Sequence, residues 1–373
     1  MKKMLLAFFL FCVQSSPAQS LLQPGFNKGE YQELLQIFSQ QYNYPDTPAK
    51  NKANPRRSGI VPKPQRYSLV YRSPEVGLRN RWDLWRRQDA KVAVISIHGT
   101  IRVTESWLEN FYSAMVPAQG KLQLNDSTTF SYTLAADKKA TIHVGWLLGL
   151  GHLAPSIMQQ IKASHANGIK HFIIFGHSQG AAITYLLRNY LHYESQRGTI
   201  PADITFKTVC SAAPKPGNTY FVYDFDYVTR NGWGITVINP LDWVPETPFS
   251  VQRLSDFVGV NPFQDVSSTL KDQPFYVRWF VQGKFRKMRK RTENAQEVFE
   301  KNLGELMYKQ VRKYLPQLKE PAYAPTNNYQ RAGLPIILMP DEKYRKQFPD
   351  TTNNVFQHHM QDRYYILSQS YTP

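Results

Sequence analysis

Strand and helix signals alternate through most of this 373-residue chain, and the alternation predicts an α/β fold with a mostly parallel central sheet. Two segments carry most of that expectation. Val92-Ala93-Val94-Ile95-Ser96-Ile97 is an unbroken apolar run, as in parallel strands covered on both faces. Phe172-Ile173-Ile174-Phe175-Gly176-His177-Ser178-Gln179-Gly180 is an apolar strand that passes through Gly-x-Ser-x-Gly directly into helix-forming residues, the setting of a nucleophile elbow. Glycines at 176 and 180 let strand and helix approach around a strained turn, which lifts the Ser178 hydroxyl into the open. The helix that follows offers amides and a positive dipole end to a developing oxyanion.

The other elements follow in chain order. Lys2 and Lys3, the apolar stretch 4–13 and Ser16-Pro17-Ala18 form a charged, an apolar and a small-x-small region, so residues 1–18 are expected to be a cleaved secretory signal peptide. Ten apolar residues are too few to span a bilayer, which takes about 20, and the bulky Phe11 before Cys12 argues against a lipoprotein site. Residues 19–66 then hold an N-terminal helix at 29–43, with apolar positions at helical spacing, and a Pro- and Lys-rich linker at 45–64. The main domain is expected at 67–373. It begins with a hairpin at 67–71 and 82–85, continues in strands at 92–97, 130–134, 171–175, 206–211 and 234–239, and places helices at 145–166 and 181–193. From about 250 to 330 the pattern changes to aromatic and basic residues, read as a helical insertion. Its helix is expected over 293–315, started by a capping box of Asn294 and Glu297. A last strand at 334–339 and a loop and helix at 355–368 close the chain.

Composition narrows the partners. Only Cys210 remains after the leader, so stability must come from the core, and at 42% hydrophobic the chain can bury one large core. Cys210 lies in the apolar run 206–213 and reads as a core residue rather than a nucleophile. The net charge of +17 bears on partners, not fold. Its densest run is Lys284-Phe285-Arg286-Lys287-Met288-Arg289-Lys290-Arg291, just after Phe275, Tyr276, Trp279 and Phe280. Two readings stand: peripheral contact with an anionic lipid surface, or a solvated helix whose aromatics pack inward. An exported hydrolase is not expected to bind nucleic acid. No cofactor and no metal is expected.

A serine hydroxyl needs a histidine to take its proton and a carboxylate to fix that imidazole, so an acid and a histidine should follow Ser178. The acid is expected at Asp242, just beyond a strand end in Asn239-Pro240-Leu241-Asp242-Trp243-Val244-Pro245. Asp224 and Asp226 also follow the serine, in an aromatic, hairpin-like stretch at 220–227 that suits turn or surface roles. After Asp242 the chain offers only the adjacent His358 and His359. One of them should be the base, with His359 preferred and His358 the alternative. The earlier histidines suit structural roles: His143 and His152 border a helix, His171 opens a strand, His192 lies on a helix, and His98 and His177 flank the site and should shape it. Two amides should form the oxyanion hole, that of Gln179 and one from His98-Gly99-Thr100, where Thr100 could offer amide and hydroxyl.

These residues resemble the class 3 lipase family of the α/β hydrolases. Ile97-His98-Gly99-Thr100 with Glu105-Ser106-Trp107-Leu108 stands where the family has Arg-Gly-Thr and a nearby Asp-Trp-Leu. Ile142-His143-Val144-Gly145-Trp146 matches Val-His-x-Gly-Phe, Gly176 to Ala181 the Gly-His-Ser-Leu-Gly-Gly elbow, Ser211 to Asn218 the Gly-Ser-Pro-x-Val-Gly-Asn segment, and Asn239 to Pro245 the Asn-x-x-Asp-x-Val-Pro motif. The resemblance runs from about 67 to the C-terminus, with the insertion poorly covered. It implies an α/β-hydrolase fold with the insertion between acid and histidine, Ser178, Asp242 and His359 as triad, Thr100 and Gln179 as oxyanion hole, and lipid or small-ester substrates. Gln179 replaces the family's Leu beside the nucleophile, the usual short lid would fall within about 105–128, and the insertion could replace or supplement it.

Overall fold

The computed structural model describes residues 22–41, 60–88, 91–259, 261–263 and 269–372. The expected signal peptide lies outside them, as do linker residues 45–59. In chain order the elements are α1 (Lys28–Gln40), β1 (Tyr67–Arg72), β2 (Trp82–Arg87), β3 (Val92–Ile97), α2 (Thr104–Phe111), β4 (Met115–Pro117), β5 (Gln119–Gln123), β6 (Thr129–Thr133) and β7 (Thr141–His143). They continue with α3 (Val144–Ala166), β8 (His171–His177), α4 (Gln179–Gln196), β9 (Thr205–Ser211), α5 (Thr219–Val228) and β10 (Gly234–Ile238). Then come α6 (Phe275–Glu300), a π-helical turn (Lys301–Glu305), α7 (Leu306–Val311), β11 (Leu334–Ile337), α8 (Glu342–Gln347) and α9 (Gln361–Ser370).

Seven strands form the central sheet in the order β1-β2-β3-β8-β9-β10-β11. The β1/β2 and β2/β3 pairs are antiparallel, and every pair from β3 to β11 is parallel. Successive side chains of a strand point to opposite faces, and here both faces are covered. Ala93, Ile95 and Ile97 of β3 join Phe172 and Ile174 of β8 in a core with α3 and α4. Val92, Val94, Ile173 and Phe175 face the other way, into a core with Leu34, Leu35 and Phe38 of α1 and Tyr364 and Leu367 of α9. All six β3 residues are therefore buried, which is why that strand reads as one apolar run. The N-terminal helix takes part in the second core: α1 buries Tyr31, Leu34, Leu35, Ile37 and Phe38, each such side chain stabilising by roughly 1.5–3 kcal/mol. Helices on both faces of a mostly parallel sheet, with the Gly-x-Ser-x-Gly elbow between β8 and α4, make this an α/β-hydrolase fold.

Four expectations need correction. The strand expected at 130–134 forms as β6, but it pairs only with β5 in a two-stranded hairpin outside the central sheet. Its Thr-Phe-Ser-Tyr-Thr sequence alternates and buries only Phe130 and Tyr132, the pattern of a strand covered on one face. The stretch 220–227 is helical, not hairpin-like: Asn218 caps α5 by accepting from the Phe221 amide, and Phe221, Val222 and Phe225 turn inward at helical spacing. The helix of the insertion starts at Phe275, after Pro274, so Asn294 and Glu297 lie within it and form no capping box. The Lys- and Arg-rich sequence continues a helix readily.

The fourth correction concerns the aromatics of α6, which do not pack inward. Phe275 is 82% exposed, Tyr276 62%, Trp279 78% and Phe280 57%. Spaced i, i+1, i+4 and i+5, they share one helical face, and Arg286, Lys287 and Lys290 continue it. The inward side is held elsewhere. Phe285 stacks on Phe263 and Phe299 on Phe249, with ring centroids 5.9 and 6.4 Å apart.

Candidate active site

The elbow is built by close backbone approach. A Cβ at position 176 would sit 2.3 Å from the Gly180 carbonyl carbon, and one at 180 would sit 2.4 Å from the Ile97 carbonyl oxygen. Only glycine fits at either point. The second contact seats the start of α4 against the end of β3, and so brings Gln179 next to Thr100. Between the glycines, Ser178 takes φ 61° and ψ −132°, a strained conformation outside the ordinary left-handed well. Its amide donates to the Ser211 carbonyl at 3.0 Å. The side chain is half-buried.

Ser178 Oγ lies 2.8 Å from His359 Nε2, and His359 Nδ1 lies 2.8 Å from Asp242 Oδ2. The loop after β10 delivers the carboxylate and the short turn before α9 delivers the imidazole. Asp242 is held from two further directions, by the Tyr364 hydroxyl donating to Oδ2 at 2.8 Å and the Val244 amide donating to Oδ1 at 3.0 Å. Burial pulls this carboxyl up, but the imidazole of His359 and the three hydrogen bonds outweigh it and leave it below the usual carboxylate range. An ionised carboxylate there fixes the imidazole with its proton on Nδ1 and leaves Nε2 free to accept from serine.

His358 points elsewhere. Its Nδ1 meets the Tyr344 hydroxyl at 3.0 Å and its Nε2 meets Asp350 at 3.1 Å, while its carbonyl accepts from Asn239 Nδ2. His177 backs the site: Nε2 contacts the His359 carbonyl at 2.7 Å and Nδ1 contacts Ser211 Oγ, which in turn meets Tyr31 of α1. His143 caps α3 and stacks on Trp146 at 3.6 Å, where burial pushes its imidazole down to about 3. Asp224 accepts from Tyr193 and Asn189, and Asp226 from the Gly333 amide, so neither joins the site. Cys210 is fully buried. Trp107 of α2 and Trp243 pack at a tilt against Phe356, whose ring lies 6.0 Å from that of His359, giving the site an aromatic flank.

The other pair of expected residues also meets. Thr100 Oγ1 donates to Gln179 Oε1 at 2.8 Å. Gln179 is only 2% exposed, so its side chain turns into the protein and adds no polar surface beside Ser178. Tyr364, Asn110, Glu109 and Asn80 were not anticipated as part of this centre. None sits in a motif, and what gathers them is tertiary packing.

Residues 94–252 match the family model of lipase (class 3). Through that segment, which is less than half of the chain, it is similar to the class 3 lipase family. The match holds Thr100, Ser178, Gln179 and Asp242, and ends before the insertion and His359. No curated protein matches the chain in sequence. Among solved structures it is similar to M37 lipase (21% identity, 59% of this chain and 70% of that one, TM-score 0.43). It is also similar to a triacylglycerol lipase from Penicillium expansum (16%, 60% and 75%, TM-score 0.41) and to Lip2 lipase from Yarrowia lipolytica (15%, 62% and 78%, TM-score 0.43). Among the described residues, no group of His, Cys, Asp and Glu could hold a metal ion, and no helix is long and apolar enough to cross a membrane.

Proposed function

We propose that the chain is a class 3 lipase, an exported serine hydrolase that cleaves carboxylic esters of lipids through an acyl-enzyme on Ser178. The observation that carries the reading is the continuous 2.8 Å relay from Ser178 through His359 to Asp242, mounted on a strained elbow. In the first half-reaction Ser178 Oγ attacks the ester carbonyl while its proton passes to His359 Nε2. The backbone amides of Gln179 and Thr100 take the oxyanion. The Thr100 hydroxyl directs its hydrogen to Gln179, which leaves the amide for this task. As the intermediate collapses, His359 returns the proton to the departing alkoxide, and Asp242 stabilises the imidazolium in between. Water then enters and attacks the acyl carbon while His359 takes its proton; as the Ser178 ester bond breaks, His359 returns that proton to Oγ and the acyl group leaves as the carboxylic acid. Export is supported by the leader-like pattern at 1–18, and N-terminal sequencing of the exported chain should begin at Gln19.

A fluorophosphonate probe tests the chemistry directly. The adduct is expected on Ser178 by peptide mass spectrometry, and rates across p-nitrophenyl esters from acetate to palmitate are expected to rise with acyl length. A falling series would point instead to an esterase of other specificity, and fatty-acid release from phosphatidylcholine vesicles to a phospholipase. An unlabelled chain would point to a binding protein on a hydrolase scaffold.

The outward face of α6 supports a second proposal, peripheral docking on an anionic lipid surface. Exposed aromatics at one end and cations along the same face suit a headgroup boundary, where each cation contributes about 1 kcal/mol. Changing Arg286, Lys287, Arg289 and Lys290 together to Gln should weaken binding to phosphatidylserine-containing vesicles by at least about 100-fold at low salt. Binding of the parent should fall as salt rises, since the Debye length shortens to about 8 Å at physiological ionic strength. Turnover of a soluble short-chain ester should hardly move. Unchanged vesicle binding in the quadruple variant would leave α6 a solvated face.

A further inference from the structure

Beneath the proposed oxyanion site lies a buried carboxyl that the ester hydrolysis steps do not use. Glu109, on α2, is 0% exposed, and both its hydrogen-bond partners are neutral amides. Its Oε1 accepts from Gln179 Nε2 at 3.0 Å, and its Oε2 accepts from Asn80 Nδ2. Burial pushes this carboxyl up to about 8, against the pull of those two hydrogen bonds. A buried acid without a cation is costly to keep for stability alone.

The hydrogen-bond directions tie Glu109 to the site. An indole N–H can only donate, so Trp146 Nε1, 3.1 Å from Asn110 Oδ1, fixes which way the Asn110 amide faces. Asn110 Nδ2 must then donate, and it reaches Gln179 Oε1 at 2.8 Å and Thr100 Oγ1 at 3.0 Å. With its oxygen occupied by Asn110 and Thr100, Gln179 presents its NH2 to Glu109 and to Asn80 Oδ1. The Gln179 side chain is thus clamped between Thr100 on one side and Glu109 on the other. Its own backbone amide and that of Thr100 are the two proposed oxyanion donors. Fixing this one side chain fixes both ends of the hole.

We propose that Glu109 is a positioning residue for the oxyanion hole, acting through the Gln179 side chain to hold the Gln179 and Thr100 amides at their separation. The inference rests on the roles proposed for Ser178, Thr100 and Gln179. It also accounts for a polar Gln at a position where the family has Leu: the acyl side of the site never meets it.

The test is a kinetic double-mutant cycle on a soluble p-nitrophenyl ester, with active sites counted by fluorophosphonate titration. Glu109→Ala is expected to lower kcat per active site by about 10- to 100-fold while KM moves less than about threefold, because oxyanion contacts act in the transition state. Glu109→Gln, which keeps the shape and one acceptor oxygen, should recover most of that loss. In a Gln179→Leu background, where the intermediary side chain is gone, Glu109→Ala should cost less than about threefold more. A merely structural Glu109 would reduce the titrated fraction and leave kcat per site within about twofold of the parent, which would overturn the proposal. So would equal costs of Glu109→Ala in both backgrounds. Should Glu109→Ala fail to fold, Glu109→Met, which fills the volume without an acceptor oxygen, decides the matter by the same comparison of kcat per active site in the two backgrounds. Absence of a Ser178 adduct in the parent would instead remove the reading on which the inference stands.

Discussion

Ser178→Ala is expected to lower kcat/KM for ester hydrolysis by about 10⁴-fold or more while the fold persists, because the change removes one oxygen from a half-buried position and no core contact. Residual rate above water would come from the amides of the oxyanion hole. Adding His359→Ala to this variant should cost little further, since a nucleophile without its base, or a base without its nucleophile, is already inactive. Circular dichroism and thermal melts of the single variant should overlay the parent. Full activity in Ser178→Ala, or an inhibitor adduct on another residue, would remove Ser178 from the proposed role.

The second large effect separates two neighbours. His359→Ala should reduce kcat by a factor on the order of 10⁴, whereas His358→Ala should retain at least about a tenth of the parent rate. The asymmetry follows from the geometry: His359 alone bridges Ser178 and Asp242, while the His358 ring reaches Tyr344 and Asp350. His358→Ala would lose those two contacts and about 1–2 kcal/mol of stability, read as a lower melting temperature rather than a lower kcat. Steady-state rates and melting curves on the two variants settle the matter. The reverse pattern would move the base to His358.

Much of this centre was legible because local sequence and tertiary demand coincide there. The run at 92–97 is unbroken because β3 is buried on both faces, and the glycines at 176 and 180 mark contacts that allow no Cβ. Asp242 could be sought at a strand end because the loop after β10 is where the sheet presents its carboxyl-terminal edge. The choice between His358 and His359 was weaker, since adjacent residues share every local signal and only the fold decides which ring faces the serine. Two helices misled for opposite reasons. In α5, the aromatic sequence masked the helical spacing of Phe221, Val222 and Phe225, although Asn218 gave a proper start. In the insertion, Asn294 and Glu297 imitated a start signal in the middle of a helix already begun at Phe275. Glu109, Asn80 and Asn110 lay beyond reach altogether. A buried acid on a short amphipathic helix looks, in sequence, like any solvated acid.

The π-turn at Lys301–Glu305 gives the insertion its orientation. Along α6 the inward positions run through Thr292, Gln296 and Phe299, and uninterrupted α-helical spacing would carry that stripe to 303, 306 and 310. The buried residues are instead Gly304, Tyr308 and Val311, each one place or two later. The wider turn therefore takes up about one extra residue, which resets the phase between the two halves of a single rod. With α7 seated in the core, that offset behaves like a keyway: it sets the angle at which the whole of α6 projects. Removing one residue from 301–305 would turn α6 by about 100° about its axis. Phe275, Trp279 and the cations beyond them would then sweep away from their present outward direction, with no change at Ser178, His359 or Asp242.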